Sequence, residues 1–280
     1  MRLRSAAAIL LACLSSALCA AEPIVIPVEL QDGNNLTTVR IGGVKLRTIL
    51  DTGGWYAIGI TSAALSKLHV RFSGTTTERI DGSGEKLEGR DFRVAALQVG
   101  GVTFHDLAGF EIRQAAGGDL GGPPPFDAVI GRDFLAHYTV VVDYPRRRFE
   151  LYPASRARAV CGPATATMLP SQDGIMFSTF RTDAGVMNLG WDTGATYSVV
   201  QKAVAVVRGL KLKDDFYATR RFALEHFDAG DMDLVSIDVA GVPDLDGLIG
   251  FNFFEHRRVC FDYARHTVSV RADGTDPRKP

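Results

Sequence analysis

The chain has 280 residues, enough for one or two domains and a sizeable core. With 46% hydrophobic and 22% charged residues, its composition is that of an ordinary globular protein. A formal net charge of −1, with no long run of either sign, argues against nucleic acid as the main partner.

The chain begins like an export signal. Arg2 and Arg4 form a positive start, Ala6 to Leu18 is apolar, and Ala17-Leu18-Cys19-Ala20-Ala21 offers small residues for cleavage. Residues 1–20 are therefore expected to be a signal peptide. They are too short for a spanning helix, and no later stretch is long enough to be one. The folded part is expected to be periplasmic or secreted. Lipid attachment at Cys13 is a second, weaker reading, because Leu11 fits a lipobox poorly.

Strands dominate the rest of the chain. Ile24 to Leu30, Thr37 to Ile41, Val44 to Leu50, Gly89 to Val99 and Thr139 to Val142 are β-branched or alternating. In the second half the same holds for Ile175 to Arg181, Val186 to Trp191, Leu234 to Val239 and Thr267 to Val270. Short helices are expected at Ser62 to Leu68 and Val200 to Arg208, and after Gly131 and Gly250. Asn35-Leu36-Thr37 matches a glycosylation sequon, which matters only in a host that glycosylates. Arg146-Arg147-Arg148 reads as a solvated hairpin tip after Pro145.

The strand Val44 to Leu50 runs into Asp51-Thr52-Gly53-Gly54, a carboxylate at the point where glycines let the backbone turn. One such tripeptide arises by chance in roughly one chain in twenty of this length. A second copy, Asp192-Thr193-Gly194-Ala195, changes its weight. The two copies belong to an internal repeat. Gln31-Asp32-Gly33 and Gln172-Asp173-Gly174 precede them at the same offset, 51 − 32 = 19 and 192 − 173 = 19. Asp127-Ala128-Val129-Ile130-Gly131 and Asp246-Gly247-Leu248-Ile249-Gly250 come after them, then Phe134 and Phe253, then Asp143-Tyr144 and Asp262-Tyr263. From each glycine to the last Asp is again one spacing, 143 − 131 = 12 and 262 − 250 = 12. The first half is longer by 22 residues between the blocks (80 against 58), part of it the Gly- and Pro-rich stretch Ala115 to Pro125. The chain thus divides into an N-terminal lobe, 21–152, a linker, 153–160, and a C-terminal lobe, 161–280.

Two matched Asp residues at strand ends can meet on a pseudo-twofold axis. Two carboxylates in contact cannot both ionise cheaply, so they share a proton; one can act as general base on water and the other as general acid toward a carbonyl. Thr52 and Thr193 can hydrogen-bond across the axis, and Gly53 and Gly194 let backbone amides approach the carboxylates. Cys161 and Cys260 are the cysteines left outside the signal and read as one disulfide in an oxidising compartment, with buried free thiols as the alternative. No metal-ligand motif is present, and no cofactor is expected.

Asp51-Thr52-Gly53 with Val129-Ile130-Gly131, and Asp192-Thr193-Gly194 with Leu248-Ile249-Gly250, resemble the signature of the aspartic peptidases. Ile130-Gly131-Arg132-Asp133-Phe134-Leu135 is similar to the retroviral type. The resemblance implies an all-β fold of two similar closed β-barrel lobes, pepsin/retropepsin-like, with the cleft between them. It implies an aspartic endopeptidase with Asp51 and Asp192 catalytic and Thr52, Gly53, Thr193 and Gly194 in support. It also implies a hairpin flap over a peptide or protein substrate, placed at Ile80, Asp81, Gly82, Ser83 and Gly84. Since one chain holds both Asp residues, a monomer is expected to suffice.

Pepsin-like enzymes place a hydroxyl after Asp-Thr-Gly, where this chain has Gly54 and Ala195. Its absence disfavours the ionised pair, so activity is expected at mildly acidic to near-neutral pH. Trp55, Tyr56, Ile80 and Phe126 are candidates for either subsite or core. The competing reading is a peptide-binding protein of the same fold with little or no hydrolysis.

Overall fold

The computed structural model describes residues 22–80, 86–113, 125–213, 216–237 and 244–272. The expected signal peptide, the flap residues Asp81, Gly82, Ser83 and Gly84, and nearly all of the Gly- and Pro-rich stretch lie outside the described residues. The described residues are mostly strand, arranged in sheets of eight, ten and six strands.

The eight-stranded sheet comes from the first half. Its strand Val44–Leu50 alternates exposed and buried residues as far as Arg47, then buries Thr48, Ile49 and Leu50 in succession. The change is caused by its neighbours. The last residues lie between strand Asn34–Ile41 on one side and the short parallel strand Ala128–Ile130 on the other, and a strand flanked and covered on both faces reads as a continuous apolar run. Ala128–Ile130 in turn pairs antiparallel with Ile58–Thr61, which runs parallel to Val102–Ile112.

The ten-stranded sheet repeats this wiring in the second half. Gly185–Trp191 runs parallel to Gly247–Ile249, which pairs antiparallel with Val199–Gln201, itself parallel to Met232–Ile237. Register repeats as well: Leu50 lies opposite Ile130, and Trp191 opposite Ile249. Each short central strand is introduced by one of the repeated Asp residues. The Asp127 carboxylate accepts from Arg47 N at 2.9 Å, and that of Asp246 from Asn188 N at 2.9 Å. Both fix the short strand beside the strand that carries the Asp-Thr-Gly loop.

The six-stranded sheet belongs to both halves, and no local sequence pattern announces it. Its order is Ile24–Pro27, Arg148–Pro153, Tyr138–Asp143, Arg257–Asp262, Thr267–Ala272, Ala166–Thr167. At its centre Val141 faces Cys260, with Thr139 opposite Asp262 and Asp143 opposite Arg258. Val141 and Cys260 are equivalent in the repeat (260 − 141 = 262 − 143 = 119), so a pseudo-twofold axis passes between them. The stretch read as a linker holds a 3-10 turn, Ala154–Arg156, and then the helix Ala157–Cys161. That helix carries Cys161 to a disulfide with Cys260, Cα atoms 5.3 Å apart. The bridge anchors the crossing between halves onto the shared sheet.

The four expected short helices are present, at Ser62–Leu65, Arg132–Leu135, Lys202–Val207 and Phe251–Phe254. The arginine run is less free than its composition suggests. Arg146 pairs with Asp143 at 3.2 Å and Arg148 with Glu150, leaving Arg147 at the tip with φ of 52°. Among the described residues, no helix is long and apolar enough to cross a membrane.

One core cluster runs through both halves, from Leu50 and Ile130 to Trp191, Phe253 and Phe261. Its heaviest part lies under the second Asp-Thr-Gly loop. There Trp191 packs against Phe180, Phe253 and Phe261 at ring distances of 5.5–5.7 Å and donates its indole N–H to Ser178. Aromatic contacts of this kind add to the gain from area buried alone.

Candidate active site

Both Asp-Thr-Gly loops begin where their strand leaves the sheet. Asp51 N donates to Ile130 O at 2.8 Å, and Asp192 N to Ile249 O at 3.0 Å. The chain then turns so that two successive amides face the carboxylate just passed. Asp51 Oδ1 accepts from Gly53 N at 2.7 Å and Gly54 N at 2.9 Å; Asp192 Oδ1 accepts from Gly194 N at 2.8 Å and Ala195 N at 3.0 Å. The loops are copies of each other bond for bond.

The threonines join the copies. Thr52 N donates to Thr193 Oγ1 and Thr193 N to Thr52 Oγ1, each at 3.1 Å. The hydroxyls pass the interaction on: Thr52 Oγ1 donates to Trp191 O at 2.9 Å, and Thr193 Oγ1 to Leu50 O at 2.7 Å. Both threonines are 1% exposed, so these bonds form away from competing water.

Glycine is required at two pairs of positions for steric reasons. A Cβ on Gly53 would lie 2.8 Å from Asp192 Cγ, and one on Gly194 would lie 2.8 Å from Asp51 Cγ. Each carboxylate therefore rests against the opposite loop's glycine. Below them, a Cβ on Gly131 would lie 2.2 Å from Tyr56 O, and one on Gly250 would lie 2.3 Å from Tyr197 O. The apolar-apolar-Gly blocks end in glycine because the Asp loop crosses directly over them.

The two carboxyls interact with each other. Burial, then the charge of Asp51, then a hydrogen bond to Asp51 push Asp192 well above the usual carboxylate range, while the Gly194 and Ala195 amides pull it back. The hydroxyl that pepsin-like enzymes carry has no ready place at position 54: a Cβ there would lie 2.7 Å from Asp51 Oδ2.

Other expected residues fall into place unevenly. The strands Arg71–Ile80 and Lys86–Val99 pair antiparallel with Ile80 opposite Lys86; the expected flap tip, Asp81 to Gly84, lies outside the described residues. Trp55 packs edge-on to Phe110 at 4.8 Å and to Tyr56 at 5.3 Å. Tyr56 and Phe126 are half-buried against Leu36, Ile49 and Val129.

Two residues beside the loops were missed. Asn35 is fully buried. Its Oδ1 accepts from Leu50 N at 2.8 Å, and its Nδ2 lies 3.0 Å from Leu50 O, 2.7 Å from Thr193 O and 2.9 Å from the Tyr144 hydroxyl. A side chain committed in this way carries no glycan in the folded protein, so the sequon is inert. Tyr144 is 1% exposed, and its hydroxyl also reaches Thr193 O at 3.4 Å. Burial raises its phenol far above the ordinary value. The Asp143-Tyr144 block signalled this residue; nothing in the sequence signalled Asn35 beyond its place three residues after Asp32.

Comparison with known proteins agrees with this geometry. Residues 37–134 match the family model described as aspartyl protease. Among solved structures, the crystal structure of the aspartic proteinase from Irpex lacteus shares the fold with a TM-score of 0.63 at 12% identity, covering 89% of this chain and 97% of that one. No curated protein is significantly similar to the chain in sequence. The first half, across its Asp loop, is thus similar to the aspartyl proteases, and the chain as a whole shares the fold of an aspartic proteinase.

Proposed function

We propose that Asp51 and Asp192 form the catalytic pair of an aspartic endopeptidase. The observation that carries this is the mutual hold of the two loops, which seats each carboxylate against the other loop's glycine with two amides on its inner oxygen. The amides fix the inner oxygens and leave the outer ones for a substrate water.

A water held between the outer oxygens loses a proton to the ionised carboxylate as it attacks the scissile carbonyl. The protonated carboxyl donates to the carbonyl oxygen, and the resulting gem-diol collapses with proton transfer to the leaving amine. No covalent enzyme intermediate forms. The pair shares one proton, and burial together with the Asp51 charge favours the protonated form of Asp192. The threonine bonds keep the carboxyls within reach of one water, and a fixed geometry of this kind supplies much of the rate. The hairpin Arg71–Ile80 and Lys86–Val99 serves as the flap. The export signal and the disulfide fit an oxidising compartment outside the cytoplasm, with peptides or unfolded proteins as substrates.

The test is cleavage of an unfolded protein across the mildly acidic to near-neutral range, where a pair sharing one proton is expected to work. Wild type cuts and is blocked by a statine-type transition-state analogue; Asp51→Asn and Asp192→Asn do not cut. If wild type and both variants bind peptide alike and none cuts, the protein is a binding module on this fold.

A further inference from the structure

Around the pair the two halves differ in one buried polar side chain. Asn35 stands three residues after Asp32, and the position three after Asp173 is Met176, a buried apolar side chain. The partners differ accordingly. The Tyr144 hydroxyl bonds to the Asn35 amide, whereas that of its counterpart Tyr263 is buried with no hydrogen-bond partner among the described residues. A single amide in the first half therefore has no equivalent in the second.

Where that amide points is specific. Thr193 C=O and Gly194 N–H belong to one peptide unit. Its oxygen accepts from Asn35 Nδ2 at 2.7 Å, and its N–H donates to Asp192 Oδ1 at 2.8 Å. Bonds in series through one peptide polarise each other, so the donor to Asp192 is strengthened from behind. The amide has two hydrogens for three nearby acceptors, and Thr193 O is the closest of them. On the other side, Asn35 holds Leu50 N and O, the backbone of the residue before Asp51. This peptide gives no hydrogen to the Asp51 carboxylate, whose donors are Gly53 N and Gly54 N.

We propose that Asn35 is a positioning residue that makes the two aspartates inequivalent, by tying the loops together and polarising the peptide that hydrogen-bonds Asp192. The proposal rests on the cleavage reading of the same pair. The groups bearing on Asp192 are Asp51 from the opposite loop and the Tyr144 phenol just after Tyr138–Asp143, which faces both carboxyls; Tyr263 bears on Asp51, and Arg132 reaches Gly53 O and Tyr263. Burial and Asp51 favour the protonated form of Asp192, and the Asn35 relay offsets part of this. Asn35 thereby sets the upper pH limit at which the acid of the pair keeps its proton.

The experiment compares Asn35→Leu, which keeps the size and loses the amide, with Asn35→Ser, which keeps one hydroxyl donor, and Met176→Leu as the matched change in the other half. Loss of a bond of ordinary net strength predicts that the alkaline limb of the kcat profile moves up by about 0.5–1 pH unit in Asn35→Leu and less in Asn35→Ser. The acid limb moves less, KM stays within about twofold because no cleft wall changes, and Met176→Leu leaves both limbs in place. A merely structural Asn35 would lower the folded fraction and leave the limbs where they are. The carboxyl 13C titration of Asp192 reads the same bias without turnover, and its midpoint rises in both Asn35 variants. Absence of cleavage by wild type defeats the catalytic reading alone. An Asp192 midpoint and an alkaline limb within about 0.2 unit of wild type in whichever Asn35 variants fold overturn this proposal.

Discussion

The threonine bonds across the axis make a quantitative prediction that tells the two halves apart. Thr193→Val keeps the shape and removes one oxygen. Two bonds disappear: the one Thr193 Oγ1 accepts from Thr52 N, and the one it donates to Leu50 O. A bond of this kind has a net worth of about 1 kcal/mol, and the stranded Thr52 N–H costs a further 1–3 kcal/mol or so. The sum is about 3–5 kcal/mol, a sizeable share of the 5–15 kcal/mol or so typical of a domain. Thr52→Val strands Thr193 N–H in the same way but strips its hydroxyl from Trp191 O, whereas Leu50 O in the first variant still has the Asn35 amide. Thr52→Val is therefore expected to cost more, by roughly 0.5–1 kcal/mol. The double variant should cost less than the sum, because the four bonds form one network. Equilibrium unfolding in guanidinium, with kcat measured in parallel, checks all three. Costs under about 1 kcal/mol for both single variants, or a larger cost for Thr193→Val, would refute the view that this buried network holds the loops together.

The same chemistry sets further expectations. Asp192 is raised in the folded state, so it stabilises the protein below its unfolded value and the contribution fades as pH rises through the folded value. Asp192→Asn should thus be inactive yet more stable than wild type at pH 7, and equal melting temperatures there would contradict the assignment. Glu111 behaves in the opposite sense. Hydrogen bonds from Arg90 foremost, then Ser62, hold it down at about 2, so its stabilisation is present above 4.5 and disappears as pH falls toward 2. Because Arg90 is half exposed, Glu111→Gln should cost about 2 kcal/mol at pH 7 and almost nothing near pH 2, measured by urea unfolding at both. The Cys161–Cys260 bridge closes a separation of 99 residues, and its loss in a Cys→Ala pair should cost about 3–5 kcal/mol without moving the pH limbs. A shift in the pH limbs would mean that the bridge reaches the loops.

The sequence exposed the parts of the site that repeat. Asp51 and Asp192, the threonines, the glycines and the apolar-apolar-Gly blocks all appear twice at fixed spacing, because each half folds by the same local rules and presents the same loop. The strand ends were legible for the same reason, since Leu50 and Trp191 close runs whose burial their neighbours enforce. Features arising where the halves meet were not legible. The shared sheet depends on pairing between residues 115 to 123 apart, and no local pattern in Tyr138–Asp143 names Arg257–Asp262 as its partner. Asn35 was hidden because it breaks the repeat. It looked like a surface sequon, and only its long-range contacts, 158 residues to Thr193 and 109 to Tyr144, show what it does.

The sheet that both halves build has a consequence for how the pair can change over time. In an enzyme assembled from two identical chains, every substitution occurs twice, the subunits separate on dilution, and each loop must serve both roles. Here the loops share one chain, and the cost of bringing them together is one of ring closure, set by chain length and independent of concentration. Each loop can then be altered alone. Asn35 facing Met176, and Gly54 facing Ala195, are single edits that a symmetric dimer could not hold separately. On the proposed catalytic reading, holding both loops in one chain lets one aspartate specialise as donor while its twin remains free to act as acceptor.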